Sequence, residues 1–261
     1  MDYLCLAAGK GTRMGSLGSY LQKCMYPVGL KPFVEYSLRN LLEHAEPATD
    51  RVTFVVGHQQ EQVRRYFGTS FEGLAVDYVE QLEPLGTAHA IFSAHEQRQF
   101  QDPIVVWLAD AYVPVTLFAD VAGHPFDNVQ SLAPGDSAEK DNLKATVDSS
   151  GGVPRVTQAW CGQDDLYDIG VWKFSPAVLD LMLSRREGEF RVLPNLQEAI
   201  ERGINIGAVI VDEWIHLGGV NPTPEANVIS VSQRLLQLHP PAAASQASPQ
   251  ATEKATEGQP Q

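Results

Sequence analysis

The sequence predicts an α/β domain built around a mainly parallel sheet, and three features of the chain lead to that prediction. Apolar runs alternate with segments typical of helices along the first 110 residues, which is the order of strands and crossover helices in such a sheet. The apolar runs are short and nearly continuous, as in strands that are buried on both faces. The length of 261 residues, with 44% apolar and 20% charged residues, suits one large soluble domain.

The elements of this fold can be placed in order along the chain. In the first half, strands are predicted over 3–8, 51–57, 74–79 and 104–108. Helices are predicted over 33–44, 59–67 and 86–98, the first from apolar residues at helical spacing behind Pro32. In the second half, strands are expected over 155–159, 167–174 and 205–211, and helices over 176–184, 193–202 and 225–238, with a turn at 148–152.

The last segment, residues 240–261, contains no large apolar side chain and cannot bury a core. We therefore expect a domain at 1–239 followed by a disordered tail. The three cysteines form no CxxC pair, which speaks against a zinc site. Because no apolar run approaches the ~20 residues of a membrane span and the N-terminus lacks the basic region of a signal peptide, a cytoplasmic protein without membrane contact is expected.

The net charge of −13 makes the chain a poor candidate for nucleic-acid binding. Its basic residues are unevenly distributed, because residues 1–31 carry Lys10, Arg13, Lys23 and Lys31 against one acid, Asp2. A positive island in an acidic protein suggests a small anionic ligand, and chance clustering is the alternative.

A glycine-rich turn, GKGTRMG, follows the first predicted strand. Small residues after a strand let backbone N–H groups approach a phosphate closely. Two common phosphate-binding motifs fail on spacing. The third glycine of G-x-G-x-x-G is replaced by Met14, and neither Gly9 nor Gly11 begins a P-loop.

The stretch LAAGKGTRM, followed by Lys23, Pro27-Val28 and Lys31-Pro32, resembles the signature of sugar-1-phosphate nucleotidyltransferases. It is similar to both glucose-1-phosphate thymidylyltransferases and N-acetylglucosamine-1-phosphate uridylyltransferases. The resemblance implies a Rossmann-like three-layer nucleotidyltransferase fold with a mixed, mainly parallel central sheet. It also implies that a glycine loop wraps the triphosphate and that Arg13 and Lys23 are catalytic cations. The loop residues would be Leu6, Ala7, Ala8, Gly9, Lys10, Gly11, Thr12 and Arg13.

A second segment, Q-L-E-P-L-G-T-A-H-A at 81–90, resembles the part of these enzymes that contacts the base. The resemblance assigns Gln81, Gly86 and Thr87 to nucleotide binding. An amide offers both a donor and an acceptor, which suits the N3–H and O4 edge of uracil or thymine, so UTP or dTTP is favoured. A histidine at position 89 resembles the uridylyltransferase branch of the family. The alternative is that His89 is a helix residue with no role in binding or catalysis.

Asp110 follows the strand IVVWL, at the strand end where ligands bind in parallel sheets. The resemblance makes it a catalytic residue and a ligand of Mg²⁺, a hard cation that prefers oxygen. His216 stands where the family has a second metal-binding aspartate, and imidazole is a poor Mg²⁺ ligand. We therefore favour Asn221, in the Gly219-Val220-Asn221 segment, as the second ligand. The sequence leaves open whether Asn221 or His216 occupies that position, and a surface or capping role is the alternative for His216.

The segments that resemble the sugar-phosphate-binding part of the family, within residues 157–174, depart from the family pattern. The lysine of the family's Glu-Lys-Pro segment is missing from 157–161. Asp168 and Gly170, in Y-D-I-G-V-W-K-F, resemble the family's sugar-binding strand and are assigned to the sugar phosphate. Lys173 could replace the missing cation, but the period of a strand turns it away from Asp168.

The leading hypothesis is an enzyme that joins an NTP to a sugar 1-phosphate with Mg²⁺ as cofactor. A non-catalytic nucleotide-sugar-binding or regulatory protein on the same scaffold is one alternative. A cytidylyltransferase for a non-sugar phosphate is another. The resemblance allows a homo-oligomer, and the sequence leaves the oligomeric state open.

Removal of residues 240–261 should change the free energy of unfolding by no more than the ±0.5 kcal/mol or so typical of surface changes. Urea titration of the two lengths of chain measures this difference. A loss of several kcal/mol would show that the tail packs against the domain.

Overall fold

The computed structural model describes residues 1–134, 143–148, 151–153, 155–158, 166–186, 188–212, 214–218 and 223–240. The strands are β1 (Asp2–Ala7), β2 (Pro27–Val28), β3 (Lys31–Pro32), β4 (Arg51–Val56), β5 (Ser70–Phe71), β6 (Leu74–Glu80), β7 (Ile104–Leu108), β8 (Ala111–Tyr112), β9 (Val129–Pro134), β10 (Leu143–Thr146), β11 (Arg155–Gln158), β12 (Leu166–Phe174), β13 (Gly207–Ile210) and β14 (Ile215–His216). The α-helices are α1 (Phe33–Leu42), α2 (Gln60–Phe67), α3 (Thr87–Arg98), α4 (Val115–Ala122), α5 (Pro176–Leu179), α6 (Val192–Glu201) and α7 (Pro224–Leu238). Two 3₁₀ segments cover Thr12–Ser19 and Lys23–Met25.

Ten of the strands form one mixed sheet with a parallel centre. Its path runs β11-β10-β12-β7-β1-β4-β6-β5, and β9 pairs with both β12 and β13. The four central strands β7, β1, β4 and β6 are parallel, whereas β12 runs antiparallel to β7. The parallel centre places the carboxyl ends of these four strands at one edge of the sheet.

The sheet is covered on both faces, which gives three layers. Alternate residues of β1 enter different cores: Tyr3 and Cys5 belong to one buried cluster, and Leu4 belongs to the other. The first cluster includes residues of α1, α2 and α4, and the second includes residues of α3, α5 and α6. The prediction of a three-layer fold with a mixed, mainly parallel central sheet is confirmed.

The C-terminal helix α7 packs at the edge of the domain, against neither of the two main cores. Val228, Val231 and Leu235 of this helix form a third buried cluster with Met14, in the 3₁₀ segment behind the glycine-rich turn, and with Phe33 at the start of α1. The Thr223 hydroxyl caps the helix by accepting a hydrogen bond from the Ala226 N–H at 3.2 Å.

The predicted elements of the first 110 residues are confirmed to within two residues at each end, and the longer elements beyond residue 110 differ in three places. Helix α4 and strand β9 were not predicted. Strand β9 has no apolar pattern, because it contains buried polar residues such as Ser131. The Ser131 hydroxyl is satisfied by donating to the Val171 carbonyl at 2.6 Å. The helix expected over 176–184 ends at Leu179 and continues as turns. Residues 241–261 of the expected tail lie outside the described residues.

Within the part of the chain that is described, no helix combines the length and the apolar character needed to cross a membrane.

Lys173 on β12 stabilises the end of a helix. The side chain is buried, with 7% of its surface exposed, and its ammonium donates to the carbonyls of Ala122 at 3.1 Å and His124 at 3.0 Å. A cation is favourable at these carbonyls because they end helix α4. Lys173 therefore does not replace the missing sugar-phosphate lysine, in agreement with the strand period.

We expect Lys173→Met to lower the free energy of unfolding by about 1–3 kcal/mol, because two buried carbonyls lose their donor. Chemical denaturation measures the loss, and affinity for nucleoside triphosphates should not change. Unchanged stability, or weakened nucleotide binding, would contradict this structural role.

Candidate active site

One cavity of about 430 Å³ lies at the carboxyl edge of the sheet. It collects the predicted phosphate-binding, base-binding and metal-binding segments, although they are far apart in the chain. The predicted residues that line it are Leu6, Ala7, Ala8, Gly9, Lys10, Gly11, Thr12, Arg13, Lys23, Gln81, Gly86, Thr87 and Asp110. Lys31, the fourth cation of the positive island, lines a different cavity beside Tyr36 and Arg39.

The glycine-rich turn takes its shape from backbone conformations that favour glycine. Gly11 has a φ of 63°, in the left-handed region, and is followed directly by the 3₁₀ segment. A Cβ on Gly18 would lie 2.4 Å from the Gly11 carbonyl oxygen, so the 3₁₀ segment packs tightly on the turn. A Cβ on Gly9 would meet nothing within 4 Å, and the backbone there is open to a ligand.

Gln22 holds this turn to the segment that carries Lys23, a role that the sequence did not reveal. Its side chain is buried, and its amide N–H groups donate to the carbonyls of Ala7 and Gly9. Its amide oxygen accepts from the Cys24 N–H at 2.8 Å. The only sequence feature that points to Gln22 is its place next to Lys23, and this feature does not distinguish Gln22 from a surface glutamine.

Lys23, Asp110 and His216 meet at the floor of the cavity. The Lys23 ammonium donates to the Asp110 carboxylate, and His216 Nε2 lies 3.2 Å from the same oxygen, Oδ2. Burial alone would raise the pKa of Asp110, but the charges and hydrogen bonds of Lys23 and His216 hold that pKa well below its usual range. Asp110 is therefore a carboxylate at neutral pH.

His216 is neither a surface residue nor a helix cap, which was one of the roles that the sequence left open for it. Strand β14 pairs with β8 directly behind Asp110 and brings the imidazole into the cavity. The Trp214 ring lies against it, with ring centroids 4.8 Å apart. The side chain thus occupies the neighbourhood in which the sequence comparison expected a second metal ligand.

The metal prediction rests on Asp110 and Asn221. Asn221 lies outside the described residues, and among those described no group of three or more His, Cys, Asp or Glu side chains could hold a metal ion. One carboxylate still fits Mg²⁺, because this ion is commonly bound by one or two carboxylates together with substrate phosphates. Asp110 provides such a carboxylate beside the glycine-rich turn.

The predicted base-binding segment, residues 81–90, is fixed by the chain around Phe190, which the sequence did not reveal. The Phe190 N–H donates to the Leu85 carbonyl at 2.8 Å, and the Phe190 carbonyl accepts from the Ala88 N–H at 2.9 Å. Gly86, with a φ of 120°, lies so close that a Cβ would be 2.3 Å from the Phe190 oxygen. Glycine is required there both by φ and by the space available.

The amide nitrogen of Gln81 contacts the protein itself, whereas the sequence suggested that this amide offers a base both a donor and an acceptor. Its amide nitrogen Nε2 lies 3.1 Å from the Gly86 carbonyl oxygen and 3.1 Å from His89 Nδ1. Both N–H groups of the amide are therefore used inside the protein, and only the amide oxygen is left for a ligand.

Asp168 and Gly170 are not among the residues that line the cavity. Asp168 accepts hydrogen bonds from Gln130, Trp172 and the Gly170 N–H, at 2.7–2.8 Å. Burial raises its pKa to about 6, although these hydrogen bonds oppose the shift. A Cβ on Gly170 would lie 2.4 Å from Leu108 Cδ1, so Gly170 backs a residue of the cavity wall. Their role in binding the sugar phosphate stays a prediction.

Comparison with known proteins agrees with this site. The model of the MobA-like NTP transferase domain matches residues 3–139, and the chain belongs to that family. The matched residues include the glycine-rich turn, the base-binding segment and Asp110. The predicted relationship to the sugar-1-phosphate nucleotidyltransferases is confirmed by the relatives that follow.

The chain is 28% identical over 244 residues to a glucose-1-phosphate thymidylyltransferase of Streptomyces antibioticus, covering 87% of this chain and 65% of the relative. It is 27% identical over 245 residues to a UTP–glucose-1-phosphate uridylyltransferase of Synechocystis sp., covering 84% of this chain and 61% of the relative. The chain thus spans about half to two thirds of the length of the curated relatives it matches.

A solved structure of a UDP-glucose pyrophosphorylase complexed with UDP-glucose has the same fold. The TM-score is 0.74 at 18% sequence identity, and the match covers 91% of this chain and 98% of the other.

The packing of Gly218 against Lys23 gives a test of the site. A Cβ on Gly218 would lie 2.0 Å from Lys23 Nζ and 2.6 Å from His216 Cε1. Because both atoms end side chains, Gly218→Ala should fold normally but displace the ammonium from Asp110. We expect nucleoside triphosphate binding to weaken about tenfold, the scale of one hydrogen bond to a charged group.

Isothermal titration calorimetry measures this affinity, and thermal unfolding confirms that the variant is folded. Gly123→Ala makes the same change at the end of α4, outside the cavity, and should bind the nucleotide as the parent does. Parental affinity in Gly218→Ala would show that the position of Lys23 does not matter for the nucleotide.

Proposed function

We propose that this protein transfers a nucleotidyl group from UTP or dTTP to a sugar 1-phosphate and releases pyrophosphate. One observation carries the proposal: the glycine-rich turn, three cations, the ionised Asp110 carboxylate and the predicted base-binding segment line a single cavity. Family membership and the activities named for the relatives support the same class of reaction. The preference for a uracil or thymine base rests on Gln81.

The charges of the cavity suit this pair of substrates. An NTP and a sugar phosphate together bring roughly five or six negative charges to one place. Their repulsion must be offset before an oxygen can reach phosphorus. Lys10, Arg13 and Lys23 line the cavity and supply positive charge at the turn that would surround the phosphates.

The reaction is an in-line displacement at the α-phosphorus. A phosphate oxygen of the sugar 1-phosphate forms the new P–O bond, and the bond to the β-phosphate oxygen breaks with its electron pair on the departing pyrophosphate. The nucleophile is already an anion, so no general base is needed. Catalysis then consists of positioning and charge neutralisation.

Each cation has a separate part in this scheme. Arg13 neutralises the departing pyrophosphate, and Lys23 meets the α-phosphate as charge develops there. Asp110 would hold Mg²⁺, which supplies further charge neutralisation at the phosphates when it is bound. The predicted contact of Asp168 and Gly170 with the sugar phosphate is not used in this scheme, because neither residue lines the cavity.

Two other functions are considered, and a screen of pyrophosphate release distinguishes them from the proposed one. The imidazole at the position of the second metal ligand and the missing sugar-side lysine favour a nucleotide-sugar-binding protein without turnover. A non-sugar phosphate acceptor with CTP would make the protein a cytidylyltransferase. A screen of pyrophosphate release, with several NTPs against sugar 1-phosphates and phosphocholine, distinguishes the three.

Lys23→Ala and Arg13→Ala should each lower kcat by at least ~10²-fold, the scale seen when one preorganised transition-state donor is removed. Asp110→Asn should weaken the dependence of the rate on Mg²⁺. Steady-state pyrophosphate release with UTP and glucose 1-phosphate, at varied Mg²⁺, measures all three variants.

Lys31→Ala is the matched control, because Lys31 belongs to the same positive island of the sequence but lines another cavity. It should keep the parental rate. If Lys23→Ala and Asp110→Asn also keep it, the mechanism is wrong. If the parent releases no pyrophosphate with any pair of substrates, the binding function replaces it.

A further inference from the structure

The orientation of the Gln81 amide is determined by a group that can only accept. The Gly86 carbonyl lies 3.1 Å from one terminal atom of this amide. A carbonyl oxygen has no hydrogen to donate, so the terminal atom facing it must be the nitrogen. The choice between the two amide orientations therefore follows from chemistry alone.

The same argument determines the proton position on His89. The second N–H of the Gln81 amide points to His89 Nδ1, 3.1 Å away. Because Nδ1 accepts this hydrogen bond, the ring carries its proton on Nε2. The ring lies against Phe190, with centroids 6.4 Å apart, on the chain that holds Gly86.

The amide oxygen of Gln81 is the atom left for a ligand. Within the described part of the chain, it accepts no hydrogen bond, whereas the nitrogen donates two. Gln81 lines the cavity together with Gly86 and Thr87. The side chain thus offers the base one acceptor and no donor.

We propose that His89 is a positioning residue that makes the nucleotide site select pyrimidine bases whose N3 carries a hydrogen. Uracil and thymine carry such a donor at N3, whereas N3 of cytosine carries a lone pair. The proposal rests on the proposed function only in placing a nucleotide base at Gln81.

Rotation of the amide would remove this selectivity, and His89 opposes that rotation. A rotated amide would turn its oxygen towards the Gly86 carbonyl, which has no hydrogen to donate, and towards His89 Nδ1, which donates only if the ring proton moves there from Nε2. Such unpaired acceptors are unfavourable in a buried position. The Gly86 carbonyl is part of the backbone, so His89 is the part of this lock that a substitution can change.

Two substitutions separate the acceptor of His89 from its ring. In His89→Asn, the side-chain oxygen can take the place of Nδ1 as acceptor, but the ring is lost. In His89→Phe, the ring against Phe190 is kept, but the acceptor is lost. His95→Phe is the matched control, since His95 lies on the same helix, stacks on Phe100 with centroids 6.0 Å apart, and forms no hydrogen bond with Gln81 among the described residues.

The readout is the ratio of the dissociation constants for CTP and UTP, measured by calorimetry on the full chain. The wild type, His89→Asn and His95→Phe should all favour UTP. In His89→Phe, the ratio should fall about tenfold, the scale of one buried hydrogen bond. The ratio of kcat/KM for the two nucleotides should change in parallel.

Three results would overturn the proposal: no preference for UTP in the wild type, an unchanged ratio in His89→Phe, or equal losses in His89→Phe and His89→Asn. The last result would mean that the ring acts through packing. Because the ratio is a binding measurement, the expected pattern without any turnover would support the role of His89 while rejecting the proposed reaction.

Discussion

The parallel pairing of β7, β1, β4 and β6 is the constraint on which the whole site depends. Parallel register makes all four strands end at the same edge. The glycine-rich turn follows β1, Gln81 follows β6 and Asp110 follows β7, so the three segments become neighbours without any direct link in sequence. This is the edge at which ligands bind in open α/β sheets. The fully buried strands that maintain the register, such as IVVWL in β7, carry no chemistry themselves.

Lys23 and His216 are arranged around the carboxylate of Asp110. Asp110 lies where β7 ends, Lys23 reaches it from the 3₁₀ segment behind the glycine-rich turn, and His216 reaches it from β14. Gln22 and Gly218 make this arrangement possible, the first by hydrogen bonds to the turn and the second by leaving space for the ammonium. The cavity therefore combines cationic side chains with a backbone turn held by hydrogen bonds and close packing, as a site for a charged phosphate chain requires.

Much of the fold and of the phosphate side could be predicted from the sequence, because local patterns carry that information. Continuous apolar runs reveal buried strands. Gly9, Arg13 and Lys23 are close together in the sequence, so their spacing can be compared with a family motif without knowledge of the fold. What could not be predicted depends on contacts between distant segments. The position of Lys31 in a separate cavity is one case. The packing of Phe190 against the base-binding segment is another, because it joins residues about one hundred positions apart. The donor pattern of Gln81 follows from partners that no composition or spacing reveals.

The most direct test of the account is a crystal structure of the protein with UTP bound. The account predicts the triphosphate along residues 9–13 and the N3–H of uracil within hydrogen-bond distance of the Gln81 amide oxygen. It also predicts that the Lys23 ammonium lies near the α-phosphate. A nucleotide bound away from the carboxyl edge of β1, or a base that faces the Gln81 nitrogen, would contradict it.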